Sequence, residues 1–192
     1  MSGVGAIVLA GGASRRFEGG SKLLHPYGGQ TLVEGSLRAP LGASLARIVV
    51  VTGAYHAHLL PVLARYPVSV VQNENWEAGL STSLKAGLVA LAQSEVQAAL
   101  LCLADQPNLP AVVIDQLVQA WRQSRAPIVA PVCNGQRRNP VLFDRSLWPE
   151  LMQVSGDEGG RSVIRRHEAG MVPVTFHDPT WFADVDTLAD LT

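Results

Sequence analysis

Residues 6–22 read AIVLAGGASRRFEGGSK. Ala6-Ile7-Val8-Leu9-Ala10 is short, apolar and β-branched, the composition of a buried strand. It runs directly into Gly11 and Gly12, and then into Ser14, Arg15, Arg16, Gly19, Gly20 and Lys22. A strand that opens into a glycine-rich, cationic loop is how an α/β protein holds a phosphate. Glycines let the backbone approach and turn its N–H groups inward, and Arg and Lys neutralise charge that amides alone cannot. Two familiar phosphate loops do not fit. The glycines are out of register for G-x-G-x-x-G. The pattern G-x-x-x-x-G-K-[ST] fails because Gly20 is followed by Ser21 and Lys22 by Leu23.

Outward from this loop, apolar runs alternate with helical stretches. Strands are predicted at Arg47–Thr52, Val68–Val71, Ala98–Leu103, Ile128–Val132 and Val172–Phe176, and Gln136–Phe143 joins a cationic turn to a short strand. Helices are predicted at Thr31–Leu45 (bent or ended near Pro40), His56–Tyr66, Gly79–Gln93, Leu109–Gln123 and Asp144–Met152. This alternation implies βαβ units and a mostly parallel sheet covered on both faces. Ligands then sit beyond the carboxyl ends of the strands, so the residues just after strands are where chemistry is expected.

Composition narrows the classes. The chain has 192 residues, enough for one sizeable domain, with 47% hydrophobic and 16% charged residues. A formal net charge of -1 argues against a protein that wraps nucleic acid non-specifically. Cys102 and Cys133 lie in apolar segments and read as reduced core residues. The start, MSGVGAIVLAGG, lacks a charged n-region and a long apolar region, and no run approaches a membrane span. A cytoplasmic protein without nucleic-acid or membrane partners is expected. His25, His56, His58, His167 and His177 show no triad or metal spacing.

Two further post-strand segments carry polar signals. In Asn73–Leu84 (NENWEAGLSTSL), Gly79 to Ser83 opens a helix, where hydroxyls and orphan N–H groups either cap the helix or bind a nucleobase or ribose. In Leu103-Ala104-Asp105-Gln106-Pro107, Asp105 ends an apolar strand expected beside the first one. It is either the N-cap of the next helix or a metal ligand facing the phosphate loop. A carboxylate opposite phosphates needs a cation between them, and Mg²⁺ accepts one or two carboxylates plus phosphates. Near the end, Asp184 and Asp186 alternate in Ala183–Asp190 and share a face if the segment is extended.

The pattern L-A-G-G-x-S-x-R-[hydrophobic]-x-x-x-x-K resembles the signature loop of the nucleotidyltransferases of molybdenum cofactor maturation. Phe17 stands where that family often has Met, and one extra residue precedes Lys22. Gly79–Ser83 resembles the G-[LM]-[ST]-[ST]-S of the cytidine-using branch, as does Asp105-Gln106-Pro107. Gly11-Gly12 is the form commoner in the guanosine branch. Gly156-Asp157-Glu158-Gly159-Gly160-Arg161 and Ala183-Asp184-Val185-Asp186-Thr187 resemble two later family elements, and the likeness runs from Ala6 to Asp190.

The resemblance implies a single domain over residues 1–192, α/β and three-layered (αβα), with a mostly parallel Rossmann-like sheet of the nucleotide-diphospho-sugar transferase type. It implies transfer of CMP from CTP to the molybdenum–molybdopterin cofactor with release of pyrophosphate. A molybdoenzyme would receive the product. Leu9, Ala10, Gly11, Gly12, Ser14, Arg16, Lys22, Gly79, Leu80, Ser81 and Ser83 would bind the nucleotide. Arg16, Lys22 and Asp105 would be catalytic. Asp105 and Asp186 would hold Mg²⁺, with Asp184 the alternative second ligand. Arg138, Asn139 and Arg161 would meet the second substrate's phosphate, Arg137 and Arg138 being otherwise a solvated turn. The competing expectations are a guanylyltransferase using GTP and a transferase acting on another phosphorylated substrate. From other classes come an NAD(P)-type oxidoreductase and a non-catalytic cofactor-delivery protein. The oxidoreductase reading meets Thr52-Gly53 where an acidic residue would hold a ribose.

Overall fold

Strand β1 (Gly3–Ala10) is buried from Val4 to Ala10, on both of its faces. It sits inside the sheet, flanked by parallel strands. The computed structural model describes residues 3–13, 17 and 20–191. After β1 come a small hairpin, β2 (Pro26–Tyr27) and β3 (Gln30–Thr31), then α1 (Leu32–Gly42), β4 (Arg47–Thr52), α2 (His56–Leu63), β5 (Ser69–Gln72), α3 (Leu80–Ala92), β6 (Val96–Leu103) and α4 (Ala111–Ser124). The last third holds β7 (Ile128–Cys133), β8 (Gln136–Arg137), β9 (Val141–Asp144), α5 (Trp148–Leu151), α6 (Arg161–Arg166) and β10 (Met171–Phe176).

The main sheet has the order β10-β7-β9-β6-β1-β4-β5, with β8 paired to β7. β1 pairs in parallel with β4 and β6, and β4 with β5. Alternate residues of β1 belong to opposite layers. Val4, Ala6, Val8 and Ala10 pack with buried residues of α1, α2 and α4. Ile7 and Leu9 pack with those of α3, α5 and α6. The result is the three-layer αβα arrangement that the alternation of strands and helices predicts, built on a mostly parallel, Rossmann-like sheet.

The structure departs from the sequence-based expectations in three places. β9 runs antiparallel to both β6 and β7. Residues 134–140, which lead to it from β7, are too few for the crossover of roughly a dozen residues that a parallel neighbour needs. α1 runs through Pro40, which lies in its last turn, so its missing N–H forgoes a single bond before the helix ends at Gly42. The helix expected over 144–152 is a 3-10 turn, Arg145–Leu147, followed by the short α5. Asp144 starts it by accepting a hydrogen bond from the Ser146 N–H at 3.0 Å. Among the described residues, no helix is long and apolar enough to cross a membrane.

Two polar knots fix the ends of this framework. The Glu34 carboxylate accepts bonds from the Thr31 N–H (2.8 Å), the Thr31 hydroxyl (2.7 Å), Tyr66 (2.8 Å) and Arg65 (2.6 Å). These tie the start of α1 to the segment after α2. The Thr31 N–H above all holds the Glu34 carboxyl below its ordinary range, against the opposing pull of burial. At the far end, the chain after β10 returns over the end of β6. The Val185 N–H donates to the Asp105 carbonyl at 2.9 Å. The buried Gln106 amide donates to the Phe182 carbonyl (3.2 Å) and to Asp184 Oδ1 (2.8 Å).

Both knots are testable. A carboxyl that ionises more readily folded than unfolded contributes stability present above the unfolded range and lost as pH falls through the folded one. Glu34→Gln is therefore expected to cost about 1–3 kcal/mol at pH 7. The gap to wild type should close as denaturant titrations move to acid pH; a pH-independent gap would contradict the assignment. Gln106→Ala leaves a buried carbonyl without its donor and should also cost about 1–3 kcal/mol. Faster amide exchange over residues 182–186 than in wild type is the second readout.

Candidate active site

The adjacent strands β1 and β6 end together: the Ala104 N–H donates to the Leu9 carbonyl at 3.2 Å. Beyond those ends lies a cleft of about 520 Å³, where an α/β sheet places its ligands. Leu9, Ala10, Gly11 and Gly12 form one wall, Gly79, Leu80 and Ser83 another, and Lys22, Asp105 and Asp186 a third. The cleft thus brings together residues drawn from four distant parts of the sequence. Ser14, Arg15 and Arg16 lie outside the described residues.

The placement of the remaining candidates follows from local geometry. Ser81, expected with its neighbours on the nucleotide, is instead buried and is not part of the cleft lining. On a helix of 3.6 residues per turn, Leu80 and Ser83 share a face and Ser81 is turned away from it. Arg138, Asn139 and Arg161 also lie off the cleft wall. Arg138 follows the β7–β8 turn, its N–H bound to the Pro131 carbonyl at 2.8 Å, and Arg161 is exposed at the start of α6.

Three residues that the sequence did not single out do line the cleft: Trp76, Glu77 and Asp157. Asp157 Oδ1 accepts the Leu80 N–H at 3.1 Å and so caps the start of α3, where a carboxylate also complements the helix dipole. An acid in the glycine-rich turn 156–160 was the signal that could have found it. Close backbone approach explains two of the glycines. Gly79 has φ +106°, and a Cβ there would meet the Gly156 carbonyl carbon at 2.5 Å; one on Gly11 would meet Ser83 Oγ at 2.8 Å. Asn73 braces the same corner, its buried amide donating to Thr82 Oγ1 (2.8 Å) and Ser83 Oγ (3.0 Å).

The third wall is electrostatic. Lys22 Nζ lies 2.8 Å from Asp105 Oδ2, 2.8 Å from the Val185 carbonyl and 3.4 Å from Asp186 Oδ1. The lysine expected on phosphate thus has its ammonium on the two carboxylates expected to hold metal. Burial, and then the neighbouring Asp105, push the Asp184 carboxyl above its ordinary range. Asp184 faces Gln106 rather than Lys22, which leaves Asp186 as the tail's carboxylate on the cleft.

No cluster of three or more His, Cys, Asp or Glu side chains that could hold a metal by itself occurs among the described residues. A divalent ion here would need substrate oxygens as well. Two observations suit that: Asp105 and Asp186 lie on one ammonium, and Asp105 Oδ1 is buried with no hydrogen-bond partner. Nucleophile chemistry finds less support. Cys102 is fully buried in β6, and burial pushes its thiol up to about 12, so it stays protonated.

The chain resembles proteins of more than one named activity. It is 29% identical to nicotine blue oxidoreductase of Paenarthrobacter nicotinovorans over 98% of this chain and 94% of that one. It is 31% identical to a molybdenum cofactor guanylyltransferase of Mesorhizobium japonicum, over 90% of this chain and 83% of that one. In structure it is similar to Rv0371c of Mycobacterium tuberculosis H37Rv, with a TM-score of 0.84 at 23% identity, covering 98% of this chain and 95% of that one. The same protein has also been solved in complex with manganese, and that structure matches with a TM-score of 0.80. The MobA-like NTP transferase domain matches residues 6–171. With this match over most of its length, and its paired carboxylates at the ends of a mostly parallel sheet, the chain belongs to the MobA-like NTP transferase family.

Proposed function

We propose that the chain acts as one Mg²⁺-dependent nucleotidyltransferase domain, working in the cytoplasm, that transfers CMP from CTP to the phosphate of the molybdenum–molybdopterin cofactor. The observation that carries the reading is the convergence of the glycine-rich loop, Lys22 and Asp105 in one cleft at the strand ends. Backbone N–H groups of the Gly11-Gly12 loop hold the triphosphate. Lys22, with Arg16 of the same loop, neutralises the charge that builds on the leaving pyrophosphate. The acceptor's phosphate oxygen forms a bond to the α-phosphorus, and the bond from that phosphorus to the pyrophosphate oxygen breaks. The protein positions the two groups in line and forms no covalent intermediate.

Asp105 and Asp186 would hold the divalent ion, which when bound would offset phosphate charge. The unpartnered Asp105 Oδ1 and the manganese complex of Rv0371c support this reading. Arg138, Asn139 and Arg161 are assigned to the acceptor's phosphate on their motifs, and the product would pass to a molybdoenzyme. Cytidine is favoured by Gly79–Ser83, braced by Asn73 at the cleft wall. Guanosine draws support from Gly11-Gly12 and from the Mesorhizobium relative's name.

A second reading, an oxidoreductase, draws on the name of the Paenarthrobacter relative. Against it, Thr52 ends β4 with its hydroxyl 2.7 Å from His56 Nδ1 and 3.2 Å from the Val71 carbonyl, so no acid stands there for a ribose.

A thermal-shift panel with CTP, GTP and NADH, each with and without Mg²⁺, separates these readings. A ligand at about 100 times its dissociation constant adds roughly 2.7 kcal/mol. Mg²⁺-dependent stabilisation by CTP is expected; the same result with GTP would move the assignment to the guanylyltransferase. Stabilisation by NADH alone, indifferent to Mg²⁺, would overturn the transferase reading. In a pyrophosphate-release assay, Lys22→Ala and Asp105→Ala should each lower turnover by at least about 10²-fold, with the circular dichroism of wild type retained. Full activity in either variant would remove that residue from the mechanism.

A further inference from the structure

We infer that Lys22 is a built-in placeholder for the divalent cation. In the nucleotide-free protein its ammonium neutralises Asp105 and Asp186 and keeps a metal ion off them, so that nucleotide binds first and the cation site opens only when phosphate draws the lysine away. The inference rests on the transferase reading in one respect, that phosphate and cation share this cleft.

The Lys22 side chain is 16% exposed, and its ammonium touches one oxygen of each carboxylate, with the Val185 carbonyl as a further partner. Those two carboxylates come from segments remote in sequence. They are held in place by the Val185-to-Asp105 backbone bond and by Gln106, not by the lysine alone. Removing the ammonium therefore leaves a pair of carboxylates fixed near each other and short of a positive charge. A divalent ion and an ammonium on the same pair repel one another, so either occupant lowers the affinity for the other.

Lys22 is suited to two positions. It lines the same cleft as Gly11 and Gly12, and its compact charge rides on a flexible four-carbon stem. Polyphosphate bound along that loop competes with the carboxylates for the ammonium. Once the lysine turns to phosphate, the carboxylates are left for the metal. By reciprocity the metal, once on the carboxylates, favours the lysine on phosphate.

The test uses full-length protein without nucleotide and Mn²⁺ as the probe, with free Mn²⁺ followed by electron paramagnetic resonance. Lys22→Met keeps the apolar stem and removes the charge. It should bind Mn²⁺ roughly tenfold more tightly than wild type or better, within the usual 5–150-fold range of site coupling. Adding Asp105→Asn to Lys22→Met should abolish the gain. Equal or weaker Mn²⁺ binding by Lys22→Met would overturn the inference, and so would a gain that survives Asp105→Asn. If Lys22→Met does not fold, Lys22→Gln gives the same comparison. The titration contains no nucleotide, so its failure leaves the transferase reading to stand or fall on pyrophosphate release.

Discussion

The burial of β1 on both faces is the constraint on which the rest of the molecule depends. A strand packed against helices on either side, and paired with β4 and β6 at its edges, has no lateral surface for polar chemistry. Its function must lie at its end. The same holds for β6, whose inner residues are also buried. Because the two strands are parallel and adjacent, their ends coincide, and the loop after β1 meets Asp105 after β6. The cleft follows from the packing of the sheet.

Continuous apolar runs are readable without an alignment, because a strand buried on both faces has almost no freedom in residue type. That is why β1, β4 and β6, and the helices between them, were legible from residues 6–10, 47–52 and 98–103. The orientation of β9 was less so, since it depends on the shortness of residues 134–140 as much as on the composition of the strand. Asp157, Trp76 and Glu77 were not legible as part of the cleft. Each is one polar or aromatic residue in a turn, and two of them are placed by contacts distant in sequence: the Leu80 N–H on Asp157, and Gly53 against Trp76. Ser81 shows the converse. Its type suits a ligand, and the rotation of α3 turns it into the protein.

The tail shows how two motifs depend on one another. Asp105-Gln106-Pro107 and Ala183–Asp190 are remote in sequence, and each reads separately as a strand end and a cap. In the fold, the carbonyl of Asp105 accepts the Val185 N–H while the side-chain amide of Gln106 donates to Asp184. Gln106 thus decides which of the two tail carboxylates is held by its amide and which faces Lys22. The alternation of Asp184 and Asp186 does not distinguish them; the amide that meets Asp184 does.

The charge balance of the cleft bears on what it accepts. Among the described residues that line it, Glu77, Asp105, Asp157 and Asp186 are acids, and Lys22 is the one cation. Asp157 is engaged with the start of α3 and Asp105 with Lys22, yet the lining remains negative. A polyphosphate entering such a cleft with only Lys22 to receive it would face net repulsion, worsened when the ammonium leaves Asp105 and Asp186 to meet it. On the transferase reading, favourable binding then calls for more positive charge than Lys22 alone supplies. Under the proposed function, a divalent ion on Asp105 and Asp186 would offset part of this charge, beside the unpartnered oxygen of Asp105.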